Sequence, residues 1–268
     1  MVLGKCLLAT LALAPTLGVA DISPMHDATL YNSGALGPIP NQTYVSSDLV
    51  SPIFQVNRWV EDAVDVSRSF IFLTSYEPGQ AYSVLMFNSS DLSLVYSDST
   101  PRNRTNARVQ TYRGQNFLTF WEGYFSAAAG HGQGHCLFFD NNYRLVYNIS
   151  TITTATLADA HECQITDDGT VIITTYIPTP YDLTPVGGPA DGLLLDSSFE
   201  EIDLGTMHSV FTWRASHHFN ITDTFGAYDG ASDGWDFFHI NSIQKVIASK
   251  QCLPRYSDSF SRLGQIIL

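Results

Sequence analysis

The sequence predicts an all-β protein made of repeated antiparallel sheets in the manner of a β-propeller. Three observations lead there. No stretch sustains the apolar period of a helix, short β-rich apolar runs recur along the chain, and one hairpin pattern returns about every fifty residues.

The N-terminus comes first. Lys5, an apolar run from Cys6 to Leu13 and the small-residue end Leu17-Gly18-Val19-Ala20 have the form of a secretory signal peptide over residues 1–20, too short to span a bilayer. Residues 21–64 are expected to form an irregular lead-in, because residues 21–50 are rich in Ser, Pro, Gly and Asn. The β-rich region is placed at residues 65–243. It opens with Ser69–Thr74, followed by Val84–Phe87, the turn formers Asn88-Ser89-Ser90-Asp91, and Leu92–Tyr96. Turn formers between two apolar runs mark a hairpin. The pattern returns at Cys136–Phe139, turn Asp140–Tyr143, Arg144–Tyr147, and again at Leu193–Leu195, turn Asp196–Phe199, Glu200–Asp203. Such a period fits propeller blades. Further strands are expected at Asn116–Trp121, Thr170–Tyr176 and Val210–Trp213.

Composition narrows the functional classes. The chain has 268 residues, is 44% hydrophobic and 15% charged, and has a net charge of −13, which describes a globular protein with a sizeable core. That acidity argues against nucleic acid or an anionic membrane surface as a partner, since both require clustered Lys and Arg. Five Asn-x-Ser/Thr acceptors, at Asn41, Asn88, Asn103, Asn148 and Asn220, fit a secreted glycoprotein with no membrane attachment after signal cleavage. Cys136, Cys163 and Cys252 then remain in an oxidising compartment, predicting one disulfide and one thiol, with the pairing open. Residues 21–243 contain Arg but no Lys and are strongly acidic, whereas residues 244–268 bring Lys245, Lys250, Arg255 and Arg262 against Asp258. Residues 244–268 are therefore expected to be a divergent tail, such as a shifted frame, a retained intron or a misplaced gene boundary would produce.

Two segments set a histidine just behind an acidic residue at the start of a strand: Asp159-Ala160-His161-Glu162-Cys163 and Asp236-Phe237-Phe238-His239-Ile240. In a propeller such residues could point into one central pocket, where an imidazole serves as nucleophile or general acid/base. The alternative is a pair of buried histidines satisfied by neighbouring carboxylates. His131-Gly132-Gln133-Gly134-His135-Cys136 lacks a second Cys/His pair at zinc spacing, and the fourth residue after His161 is Ile165, not a second His, so no metal or cofactor is predicted. The glycines of the first motif are read as a bend leading into a strand. Gly230-Ala231-Ser232-Asp233-Gly234 matches a nucleophile-elbow pattern but sits in a loop before a β-like run, the wrong context for that chemistry. His217-His218 either lines the same pocket as His161 and His239 or sits in an exposed loop.

The order and spacing of Tyr112-Arg113-Gly114-Gln115, Leu118–Gly123, Asp159–Glu162, Tyr181-Asp182-Leu183 with Val186-Gly187-Gly188, Glu201-Ile202-Asp203, Trp213–Ser216 and Trp235–Ile243 closely resemble the fungal branch of the arylsulfotransferase family. The resemblance covers roughly residues 65–243. It implies a six-bladed propeller, incomplete here, with a histidine-lined pocket, and sulfuryl transfer from a phenolic sulfate to a phenol without a nucleotide donor or other cofactor. His161 and His239 are similar to the family's two assisting histidines, with roles in holding the sulfuryl oxygens and moving the phenol's proton. Trp121, His218 and Asp236 are the expected contacts to a small phenolic or aromatic substrate. The family's nucleophilic histidine and its arginine follow the segment matched here, which implies that this chain is C-terminally truncated. A different small-molecule step on the same fold, an isomerisation or cyclisation in fungal secondary metabolism, and a non-catalytic fragment are the alternatives.

Overall fold

A computed structural model describes residues 28–38, 40–44, 47–60, 69–75, 83–98, 102–127, 129–245 and 264–267. The leader 1–20, Cys252 and most of residues 244–268 lie outside them. The chain divides into two compact units, Met1–Ser69 with Asn88–Leu94, and Phe70–Phe87 with Val95–Leu268.

The first unit holds a short helix, α1 (Ala28–Asn32), and an antiparallel ribbon of β1 (Asn41–Tyr44) and β2 (Ser47–Pro52). The stretch expected to be irregular therefore contains regular structure. These elements are four to six residues long, too short to impose a period on the sequence. Tyr44 Oη and Ser51 Oγ, 2.6 Å apart, tie the ribbon together.

In the second unit the strands form successive sheets in chain order. β3 (Phe70–Ser75), β4 (Ser83–Asn88) and β5 (Leu94–Asp98) make the first sheet; β6 (Asn103–Tyr112), β7 (Gln115–Ser126), β8 (His131–Phe139) and β9 (Leu145–Ile149) make the second. The third contains β10 (Cys163–Ile165), β11 (Thr170–Tyr181), β12 (Gly192–Asp203) and β13 (His208–Arg214). Each strand of the two four-stranded sheets pairs antiparallel with the next in sequence. β14 (Ile240–Gln244) pairs in parallel with β15 (Gly264–Ile267). The fold is all-β, with α1 as the one α-helix among the described residues.

Turn chemistry explains the hairpins. Arg113 and Gly114, with φ of 49° and 75°, form the left-handed two-residue turn that matches strand twist between β6 and β7. Asp140 Oδ1 accepts the backbone N–H groups of Asn142 and Arg144 at 2.8 and 2.9 Å, closing β8 onto β9.

The hairpin expected at Asp196–Phe199 is not there: these residues are the buried middle of β12. Their polar groups are bonded to neighbouring elements. Asp196 accepts the N–H and hydroxyl of Ser216 at 3.0 and 2.7 Å, and the Ser198 hydroxyl donates to the Trp213 carbonyl at 2.6 Å. The real turn comes later, where Asp203 Oδ1 accepts the N–H and hydroxyl of Thr206.

Three apolar clusters lie between consecutive layers. Val84 and Phe72 meet Leu118, Phe120 and Leu137 between the first and second sheets. Trp121, Phe138 and Ile149 meet Val171, Ile173 and Ile202 between the second and third. Leu194, Phe199 and Trp213 meet Trp235, Phe237 and Ile240 beyond the third.

The glycines after His131 lie within β8, where a bend was expected. They make room for one indole: a Cβ on Gly132 would stand 2.8 Å from the Trp121 ring, and one on Gly134 would stand 2.2 Å from the Glu122 carbonyl oxygen. Trp121 is fully buried and its Nε1–H donates to the Ala158 carbonyl at 2.9 Å. The first lysine of the tail is bound into the acidic body, with Lys245 Nζ 2.6 Å from Glu201 and 2.8 Å from Asp168.

Candidate functional site

His161 stands just before β10, a strand of three residues held firmly by the second sheet. Arg108 on β6 donates to Glu162 Oε1 at 2.7 Å and to the Cys163 carbonyl at 2.6 Å. Gln110, also on β6, donates to the same carbonyl at 2.9 Å and accepts the Ile165 N–H at 2.7 Å. A disulfide joins Cys136 on β8 to Cys163, which resolves the pairing the sequence left open. Residues 162–165 are thereby fixed on a neighbouring sheet, and His161 with them.

Asp159 orients the ring. Its Oδ2 lies 2.5 Å from His161 Nδ1 and accepts the His161 backbone N–H at 2.9 Å, while Oδ1 accepts the Gly132 N–H at 2.6 Å. Burial is the largest single influence on this carboxyl and opposes its charge. The His161 side chain and the two backbone donors together outweigh it, so the pKa lies below the ordinary aspartate value.

His239, just before β14, repeats the arrangement with Asp236, whose Oδ2 bonds to its Nδ1. The other oxygen, Oδ1, is buried without a hydrogen-bond partner in the structure. The two imidazoles face each other, with Nε2 atoms 3.3 Å apart and ring planes at 86°. The row Asp159–His161–His239–Asp236 follows. Each carboxylate accepts Nδ1–H, so Nε2 is the atom left for the opposite ring. Two bare lone pairs at this distance repel; one proton between them makes an N–H···N hydrogen bond.

Tyr176 on β11 forms the wall beside the pair. Its ring centroid lies 5.6 Å from that of His239, 6.4 Å from His161 and 5.1 Å from His131 at the start of β8. Its hydroxyl donates to the Ile240 carbonyl at 3.0 Å. Burial first, then the charges of Asp236 and Asp159, raise its pKa far above the ordinary tyrosine value, so it stays a hydrogen-bond donor. Gly130, with φ of 77°, brings the loop before β8 close to His239; a Cβ there would lie 3.4 Å from its Cε1.

The structure thus brings together His161, His239 and Asp236. It places the other two expected substrate contacts elsewhere. Trp121 is in the core between the second and third sheets, and His218 is exposed and stacked on Trp213, with ring centroids 5.1 Å apart. Trp121 ends the expected strand Asn116–Trp121, and an indole there fills an inter-sheet layer. Tyr176 and His131 were missed as site residues, because the first sits in an apolar run and the second in what looks like a glycine-rich bend. Of the glycosylation acceptors, Asn41, Asn148 and Asn220 are exposed and Asn88 and Asn103 are partly exposed.

Compared with known proteins, the chain matches the family model described as arylsulfotransferase (ASST) over residues 108–259. The matched stretch contains both histidines and continues past Ile243, where the resemblance read from the sequence had stopped. No curated protein matches the chain, and no solved structure does.

Proposed function

The chain belongs to the arylsulfotransferase family, and from that premise we propose that it transfers a sulfuryl group from a phenolic sulfate to a phenol, with the facing pair His161–His239 moving the proton. The contact of the two Nε2 atoms at 3.3 Å, each ring backed by a carboxylate, carries this reading. In the net reaction the S–O bond to the donor's phenolic oxygen breaks, an S–O bond to the acceptor oxygen forms, and the acceptor's hydroxyl proton ends on the released phenol. The Nε2 that holds the proton gives it to the leaving oxygen. The bare Nε2 takes the acceptor's proton, and the N–H···N contact returns the pair to its starting state. Direct and two-step transfers both need this one proton moved. The successive sheets are read as blades of a propeller, with His161 and His239 at the entries to their strands.

Mixing the purified protein with a chromogenic aryl sulfate and a phenol acceptor tests the reading. Coloured phenolate should appear together with the sulfated acceptor, and a well-folded protein that produces neither would refute it. His239→Ala should lower the rate by about 100-fold or more, the usual worth of a positioned acid/base, while changing the melting temperature little. Parallel losses of rate and stability would make His239 a packing residue.

A further inference from the structure

The way β11 and β12 hold the peptide around His239 extends this reading. Tyr176 and Ser197 are directly opposed across β11 and β12, so their side chains leave the sheet on the same face. The Tyr176 hydroxyl donates to the carbonyl of Ile240 and the Ser197 hydroxyl to the carbonyl of Phe238. These two carbonyls flank His239. Upstream, β12 holds the same segment by its backbone: Trp235 N–H donates to Leu193 at 2.9 Å, and Leu195 N–H donates to Trp235 at 3.0 Å. The peptide from Trp235 to Phe238 therefore follows β12, and the two hydroxyls, one from each strand, hold the carbonyls of Phe238 and Ile240. The ring is held separately, by Asp236 on Nδ1, and lies beside the tilted ring of Tyr176.

We propose that Tyr176 and Ser197 are positioning residues, which grip the carbonyls on either side of His239 and so fix where its Nε2 meets His161. The proposal rests on the pair being the proton-handling groups, but its geometry can be tested without turnover. Both side chains are nearly or fully buried, and neither hydroxyl takes part in the proton transfer described above. Their effect passes through the His239 backbone. Movement of Nε2 by an ångström costs more in rate than in binding, because hydrogen bonds of this kind decline steeply with distance and angle.

The test uses the full chain with Tyr176→Phe, which keeps the ring and removes the hydroxyl, and Ser197→Ala. Ser198→Ala serves as the control, since it removes a neighbouring hydroxyl that bonds to Trp213. NMR of the imidazole ring nitrogens and Cε1 protons reads the His161–His239 contact directly. Both test variants should shift these signals and the control should not. With an aryl sulfate as donor, each test variant should lose about tenfold in kcat with KM unchanged within about twofold. Imidazole signals identical to wild type in both variants would overturn the proposal, whatever happens to the melting temperature. If one variant fails to fold, the other decides. A wild-type protein inactive on aryl sulfates would refute the sulfuryl-transfer reading alone, and the NMR result would still decide the clamp.

Discussion

Asp159 is fully buried yet carries its charge, because each of its oxygens receives at least one donor. Its folded pKa is below the unfolded one. The charged form therefore favours the fold at pH values above the ordinary aspartate range, and that stabilisation is lost as pH falls through the lower folded value. Chemical denaturation measured as a function of pH should show stability falling below about pH 4, and Asp159→Asn should reduce that acid loss while lowering stability at neutral pH by about 1–3 kcal/mol. A variant with an unchanged acid slope would show that this carboxylate is not the group responsible. Both dyads were legible as short local spacings, Asp-x-His and Asp-x-x-His. What no local spacing carries is that the two histidines, 78 residues apart, meet at Nε2. Tyr176 was equally hidden, since one hydroxyl in an apolar strand reads as core until its acceptor is known.

At the level of elements, the same residue types can make a turn or fill a strand, and their partners decide which. Asp140 bonds to its own turn, whereas Asp196 bonds to Ser216 twenty residues away. Two hairpins were legible because their turns satisfy themselves locally; the third was misplaced because Asp196, Ser197 and Ser198 are satisfied by distant groups. The glycines of β7 and β8 show the same limit. Gly123, Gly132 and Gly134 look like punctuation, but they let two strands and one indole pack within van der Waals distance. Gly134→Ala should force the strands apart and cost about 1–3 kcal/mol, measured as a lower urea midpoint with an unchanged slope. Gly114→Ala, in a turn with nothing within 4 Å of a new Cβ, should cost about 1 kcal/mol through its positive φ alone. An equal or larger loss at Gly114 would contradict the packing account.

Across the whole molecule, the all-β class was readable from hairpins and apolar runs. The joining of sheets was not, because the Cys136–Cys163 bridge, the Arg108–Glu162 ion pair and the inter-sheet clusters all link residues that no periodicity relates. This organisation has a consequence in time. Within each four-stranded sheet every strand finds its partner next door in sequence, and such short-range pairing is the fast part of folding. The His161–His239 contact instead waits for the third sheet to form and for the peptide from Trp235 onward to lie down along β12. Pulse-labelled hydrogen exchange during refolding should therefore show amides of β7 and β11 protected before those of Ile240–Gln244, and simultaneous protection would refute that order. The newly folded sheets would pass through a stage that is already compact but in which His161 and His239 are still apart, their contact arriving as β14 docks.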